Sequence, residues 1–187
     1  MTGRITVVSG LPRSGTSMMM RFVKLLGLPL LTSTHRPANA NNPFGYFEFE
    51  PVKSIARDVS WLPEARGKAV KIVAPLVDMI LPDERYNVIF MRREIEQVVA
   101  SQIQFTGDKA GHIDEHDLAR ALRHLEMRTL TRLRARTEVA LHEVRFEQVL
   151  TNPELLARDV AGFLGIAPDR ATALAPQAFC PERIHHR

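Results

Sequence analysis

The stretch Ile5-Thr6-Val7-Val8-Ser9-Gly10-Leu11-Pro12-Arg13-Ser14-Gly15-Thr16-Ser17-Met18 constrains this chain more than any other. Its first five residues are β-branched or small and read as a buried strand. The chain then turns through Gly10 and Gly15 and enters an apolar helix expected from Ser17 to Leu26, stopped by Gly27-Leu28-Pro29. A strand that passes through glycines into a helix start brings several backbone N–H groups to one point. None has a partner within the helix, and the helix dipole there favours negative charge. The junction commits the chain to an α/β layout and offers a seat for an anion.

The spacing of Gly10 and Gly15 is that of a P-loop, but Thr16-Ser17 stands where a nucleotide-hydrolysing loop carries Lys followed by Ser or Thr. Arg13, inside the turn, is the nearest replacement cation. The residue set suits holding a phosphate-like group and does not suit ATP hydrolysis. Gly10-Leu-Pro-Arg-Ser-Gly-Thr-Ser17 resembles the phosphosulfate-binding loop of the sulfotransferases, which use 3′-phosphoadenosine 5′-phosphosulfate (PAPS) as sulfuryl donor and release 3′-phosphoadenosine 5′-phosphate (PAP). The resemblance implies donor contacts from Pro12, Arg13, Ser14, Gly15, Thr16, Ser17 and Met18. Met18 stands where cytosolic members place an aromatic against adenine.

A second match lies downstream, in Val88-Ile-Phe-Met-Arg92-Arg93-Glu94-Ile95-Glu96-Gln97-Val98-Val99-Ala100-Ser101. It is similar to the family's 3′-phosphate segment, in which an Arg at a strand's end is followed eight residues later by a Ser in the next helix. That spacing selects Arg93 with Ser101, and Arg92 is the alternative. A guanidinium fork and a hydroxyl are both apt donors to phosphate oxygens. The usual Asp/Asn-Pro after the Arg is replaced by Glu94-Ile95. A third echo, Val144-Arg-Phe-Glu147-Gln-Val-Leu150-Thr-Asn-Pro153 with Gly162-Phe-Leu-Gly-Ile166, resembles the family's strand-to-helix block and carries mainly structural content. The matches together span residues 5–166.

Catalytic expectations follow from the same resemblance. Arg13 and the amides near Gly15 and Thr16 would neutralise charge at the bridging oxygen. Lys71 ends a strand pattern where many members place a Lys beside the donor, and it reads equally as a strand-edge Lys with its head in water. The family's catalytic His falls at Val73, so the usual base is absent. Glu48, within Phe44-Gly45-Tyr46-Phe47-Glu48, is the substitute: aromatic neighbours would favour its neutral form and suit it as a general base, or it simply leads a helix. Glu50, His35 and His112 are the fallbacks. The family implies no metal, and its glycine-rich 3′-phosphate loop near the C-terminus is missing here.

The remaining chain alternates strand and helix. Strands are expected at Ala69–Val73, Tyr86–Met91 and Val139–Arg145, with helices at about Glu50–Trp61, Pro75–Leu81, Glu94–Phe105, Glu115–Thr137 and from Asn152-Pro153 to Leu164. Near-continuous apolar strands between helices point to a parallel sheet covered on both faces: one three-layer, P-loop-type α/β domain over residues 1–187. Loops are expected at 31–47 and 106–114, and a basic tail at 180–187.

Composition adds limits. A single cysteine, Cys180, permits no internal disulfide, and no apolar run approaches a membrane span, so a cytoplasmic protein without anchor or leader is expected. The net charge of +4 suits a polyanionic nucleotide or a nucleic acid alike. Arg120, Arg123, Arg128, Arg132, Arg134 and Arg136 crowd one helix without flanking aromatics, which favours a solvated face over nucleic-acid binding. The function expected is sulfuryl transfer from PAPS to a hydroxyl or amine of an unidentified acceptor. The competing readings are a P-loop kinase of nucleotide or sulfate activation, a catalytically silent PAP-binding module and a nucleic-acid binder.

Overall fold

A computed structural model describes residues 3–33, 45–80, 82–106 and 114–179. His35, His112, Cys180 and the basic tail lie outside the described residues. Four strands, β1 (Ile5–Gly10), β2 (Ala69–Lys71), β3 (Tyr86–Arg92) and β4 (Val139–Arg145), form one parallel sheet in the order β2-β1-β3-β4. The helices are α1 (Thr16–Leu25), α2 (Leu62–Ala65), α3 (Ile95–Thr106), α4 (Glu115–Arg134), α5 (Phe146–Thr151), α6 (Pro153–Phe163) and α7 (Pro168–Ala178). The expected three-layer α/β domain is the observed one.

Strand residues alternate between two cores, as the two-residue side-chain period requires. Val8, Ile89, Met91 and Val144 pack with α1, α6 and α7 through Met20, Phe22, Val160 and Phe179. Val7, Val70, Val88 and Phe90 point the other way, onto Trp61, Leu130 and Leu133. Both faces are therefore buried, which explains why β1 reads as a run of β-branched and small residues. A smaller cluster joins Leu11 of the β1–α1 turn to Ile95 and Val98 of α3 and Leu122 of α4. It ties the turn to α3.

Several elements differ from expectation: the strand expected at Ala69–Val73 ends at Lys71, and the helix expected at Pro75–Leu81 is a 3₁₀ turn, Leu76–Met79. The helix expected at about Glu50–Trp61 is a five-residue 3₁₀ turn, Glu50–Ser54, followed by irregular chain and the four-residue α2. Asp58 accepts a bond from the Ser60 N–H at 2.9 Å, a local turn that competes with a continuing helix. The long helix ends at Arg134, three residues before Thr137. Helix α7 had no counterpart in the sequence reading. Its Pro168 sits in the first turn and its Ala171, Ala175 and Ala178 are buried in the core shared with α1 and α6.

Candidate functional site

The site forms where β1 turns into α1, at the carboxyl edge of the sheet. Gly10 has φ 139°, and a Cβ there would stand 2.4 Å from the carbonyl oxygen of Met91 in paired strand β3. Gly15, which caps α1, has φ 98°, and its Cβ would stand 2.8 Å from Cδ2 of Phe146. Only glycine fits both places. Arg13, between them, also takes a left-handed backbone at φ 73°. No side chain caps the start of α1 and no acid lies in its first turn. Its first N–H groups are thus aimed at the turn without a competing carboxylate.

β1 lies between β2 and β3, so cationic side chains reach the turn from both flanks. On the β2 side, buried Lys71 donates to the Tyr46 carbonyl at 2.5 Å and to Ser17 Oγ at 3.3 Å. Its ammonium stands 4.0 Å from Glu48, which is partly exposed. Ser17 Oγ also donates to the Tyr46 carbonyl at 3.3 Å. The segment that carries Glu48 is anchored by the Ser33 N–H donating to the Glu48 carbonyl at 2.7 Å.

On the β3 side, Arg93 Nη1 donates to the Arg13 carbonyl at 3.2 Å, while Arg13 Nε donates to Ser101 Oγ at 3.0 Å. Gln102, next to Ser101, donates to the Pro12 carbonyl at 3.3 Å. Arg93 also donates to Gln97 at 3.0 Å, and its guanidinium lies 4.4 Å from the centre of the Phe146 ring. Burial lowers the Arg93 pKa; Glu147 opposes that shift and the nearby Arg13 charge adds to it. An Arg remains charged through any such shift. Two guanidinium groups sharing one corner in this way repel, and a bound anion relieves the repulsion.

The two candidates left open at the end of β3 separate cleanly. Arg93 turns to the β1–α1 turn, whereas Arg92 turns away to Glu126 at 3.2 Å and Glu143 at 3.1 Å. Ser14 is fully buried and Thr16 nearly so, while Met18 is partly buried against the α1, α6 and α7 core. Pro12, Arg13, Ser14, Gly15, Thr16, Ser17, Lys71, Glu48, Arg93 and Ser101 thus gather around one turn.

Sequence reading missed two aromatics. Phe105, four residues after Ser101 on α3, stands 5.0 Å from the Arg13 guanidinium, and the four-residue spacing from Ser101 was its signal. Phe146 lay inside the third echo but had no local sign of a role. The arginines of α4 are mostly paired, Arg120 with Asp117, Arg123 with Glu96, Arg132 with Asp78 and Arg134 with Glu143, and Arg136, just past its end, pairs with Glu138.

No family model matches the chain, and no curated protein matches it in sequence. Solved structures do match. The sulfotransferase domain of the Synechococcus olefin synthase superposes with a TM-score of 0.55 at 14% identity, covering 94% of this chain and 78% of that one. A sulfotransferase from Alicyclobacillus acidocaldarius gives 0.53 at 17% identity, covering 90% of this chain and 83% of that one. A retinol dehydratase solved with androsterone and the inactive cofactor PAP gives 0.52 at 12% identity, covering 92% of this chain and 63% of that one. The chain has the sulfotransferase fold. Among the described residues no helix is long and apolar enough to cross a membrane.

Proposed function

We propose that this chain is a sulfotransferase that takes PAPS and passes its sulfuryl group to a hydroxyl or amine acceptor. The observation that carries the reading is the meeting of Arg93 and Ser101 with the β1–α1 turn. Arg93 bonds the Arg13 carbonyl at 3.2 Å and Ser101 accepts from Arg13 at 3.0 Å. A donor with phosphates at both the 3′ and 5′ positions needs two anion grips on one crevice, and an ordinary adenine nucleotide needs one. The sulfotransferase domains of like fold support the same reading, as does the PAP held by the retinol dehydratase.

In this reading the N–H groups of Gly15 and Thr16, with the hydroxyls of Thr16 and Ser17, hold the 5′-phosphosulfate. Arg93 and Ser101 hold the 3′-phosphate. When bound, PAPS supplies a sulfuryl group whose S–O bond to the 5′-phosphate breaks as the acceptor atom bonds sulfur. Lys71, fixed by the Tyr46 carbonyl and Ser17, sets its positive charge beside the turn, where the 5′-phosphate gains charge as that bond breaks. Arg13, held by Ser101 and Phe105, places a second cation between the two grips. Glu48 takes the acceptor's proton, its carboxylate standing 4.0 Å from the Lys71 ammonium. Adenine packs on Met18, which is partly buried against the core of α1, α6 and α7, or on an aromatic elsewhere.

Calorimetric titration with PAP, AMP and ATP tests the reading. An Arg–phosphate bond contributes about 1.5–3 kcal/mol, so PAP is expected to bind roughly ten- to a hundredfold more tightly than AMP. Arg93→Ala and Ser101→Ala are each expected to shrink that preference. Equal affinity for PAP and AMP, or preference for ATP, contradicts the assignment.

A further inference from the structure

We infer that Phe146 is a positioning residue that holds the Arg93 guanidinium in place for a 3′-phosphate, with its ring wedged between Arg93 and the first turn of α1. The inference rests on the sulfotransferase reading and deepens it.

Phe146 is the first residue of α5, directly after β4, and only 5% of it is exposed. One edge of its ring meets Gly15, where a Cβ would stand 2.8 Å from Cδ2 and 3.2 Å from Cε2. Its face lies 4.4 Å below the guanidinium carbon of Arg93. The ring therefore touches the capping residue of one anion grip and the cation of the other. Arg93 has two further anchors, the Arg13 carbonyl and Gln97, both neutral acceptors. Among the described residues no carboxylate bonds it directly: Glu147, whose charge opposes the lowering of the Arg93 pKa, accepts from the Glu94 N–H at 3.2 Å.

That arrangement has a chemical consequence. A carboxylate bonded to Arg93 would compete with phosphate for the same N–H donors. An aromatic face attracts the cation from above and leaves the in-plane N–H groups available. The rest of the guanidinium's surroundings add to this, since Arg13 repels it and something must hold it in that corner. The ring supplies attraction without consuming a donor, so Phe146 sets the selectivity for a 3′-phosphorylated ligand and not the general affinity for adenine nucleotides.

The test compares PAP with AMP by calorimetry on Phe146→Leu, which keeps bulk against Gly15 and removes the ring face, and on Phe146→Tyr, which restores it. The expected result is that Phe146→Leu loses on the order of tenfold in PAP affinity while AMP affinity stays, and that Phe146→Tyr keeps the wild-type ratio. In an Arg93→Ala background, Phe146→Leu is expected to change nothing further for PAP. Should Phe146→Leu fail to fold, a ring-fluorinated phenylalanine at the same position keeps the shape and weakens the cation attraction; it is expected to lower PAP affinity alone. An unchanged PAP-to-AMP ratio in these variants overturns the inference. So does an equal loss for both ligands, which assigns the ring to packing against Gly15. If the wild-type chain itself shows no preference for PAP, the sulfotransferase reading falls and this inference with it.

Discussion

Replacing Gly15 by Ala perturbs local backbone, packing and site together. At φ 98° an alanine meets the left-handed penalty of about 1–2 kcal/mol. Its methyl also overlaps the Phe146 ring, with contacts of 2.8 Å and 3.2 Å. The ring has little room to yield, because it is buried and the Arg93 guanidinium stands 4.4 Å from its centre. Overpacking of this kind costs about 1–3 kcal/mol, so the sum is about 2–5 kcal/mol. For a chain of this length that corresponds to a Tm lower by roughly 4–20 °C. The control is Gly67→Ala, at φ 73° with nothing within 4 Å of the added methyl, which carries the backbone penalty alone. Thermal unfolding of both variants by circular dichroism is the assay. Gly15→Ala is expected to lose about 1–3 kcal/mol more than Gly67→Ala, and to lose PAP affinity as the displaced ring shifts Arg93. A Tm for Gly15→Ala no lower than that of Gly67→Ala refutes the close contact between the turn and Phe146.

Further outcomes follow from the same geometry. Lys71→Met keeps the stem and removes the ammonium that bonds Tyr46 and Ser17; sulfuryl transfer from PAPS is expected to fall roughly a hundred- to a thousandfold, and undiminished turnover removes Lys71 from the chemistry. Glu48→Gln is expected to leave PAP affinity unchanged and to slow turnover by about a hundredfold or more, and a wild-type rate clears Glu48 of the base role. His142, stacked on Phe163 with ring centres 5.0 Å apart, has its pKa lowered from the ordinary 6.5 by burial, with Asp159 opposing. The unfolded chain therefore binds this proton more readily than the fold does. His142 stabilises the fold fully above 6.5, and that contribution is lost as pH falls through 6.5 toward the depressed value. Urea unfolding at about pH 7.5 and about pH 5.5 should show this loss, and His142→Phe should reduce it. An unaltered pH dependence in His142→Phe contradicts the account.

The fold was legible where one residue pattern served one element. The runs Ile5–Ser9 and Tyr86–Met91 are strands in the structure because strands covered on both faces need mainly apolar residues, while the edge strand Val139–Arg145 is half-buried along most of its length and mixes polar with apolar residues. The β1–α1 turn was legible for another reason: Gly10 and Gly15 stand where a Cβ has no room, and a turn of this kind leaves its signature in the chain. What was not legible depends on contacts far apart in sequence. Helix α7 is built on alanines, whose small size suits a close packing against α6 that no periodic run of large residues announces. The expected helix after Glu50 gives way to a turn at Asp58, where a side chain outcompetes the backbone. The choice between Arg92 and Arg93 turns on which side of β3 each leaves. Carboxylates of α4 and β4 draw Arg92 away, and those partners lie 34 and 51 positions downstream. Phe146 gains its role only because the end of β4 lands beside the first turn of α1.

The central claim is that one crevice grips both phosphates of a doubly phosphorylated adenosine, and a structure of the chain with PAP bound tests it most directly. The account predicts the 3′-phosphate within hydrogen-bond distance of Arg93 and Ser101, and the 5′-phosphate at the N–H groups of Gly15 and Thr16. A PAP molecule whose 3′-phosphate points to solvent, or that sits away from the β1–α1 turn, contradicts it.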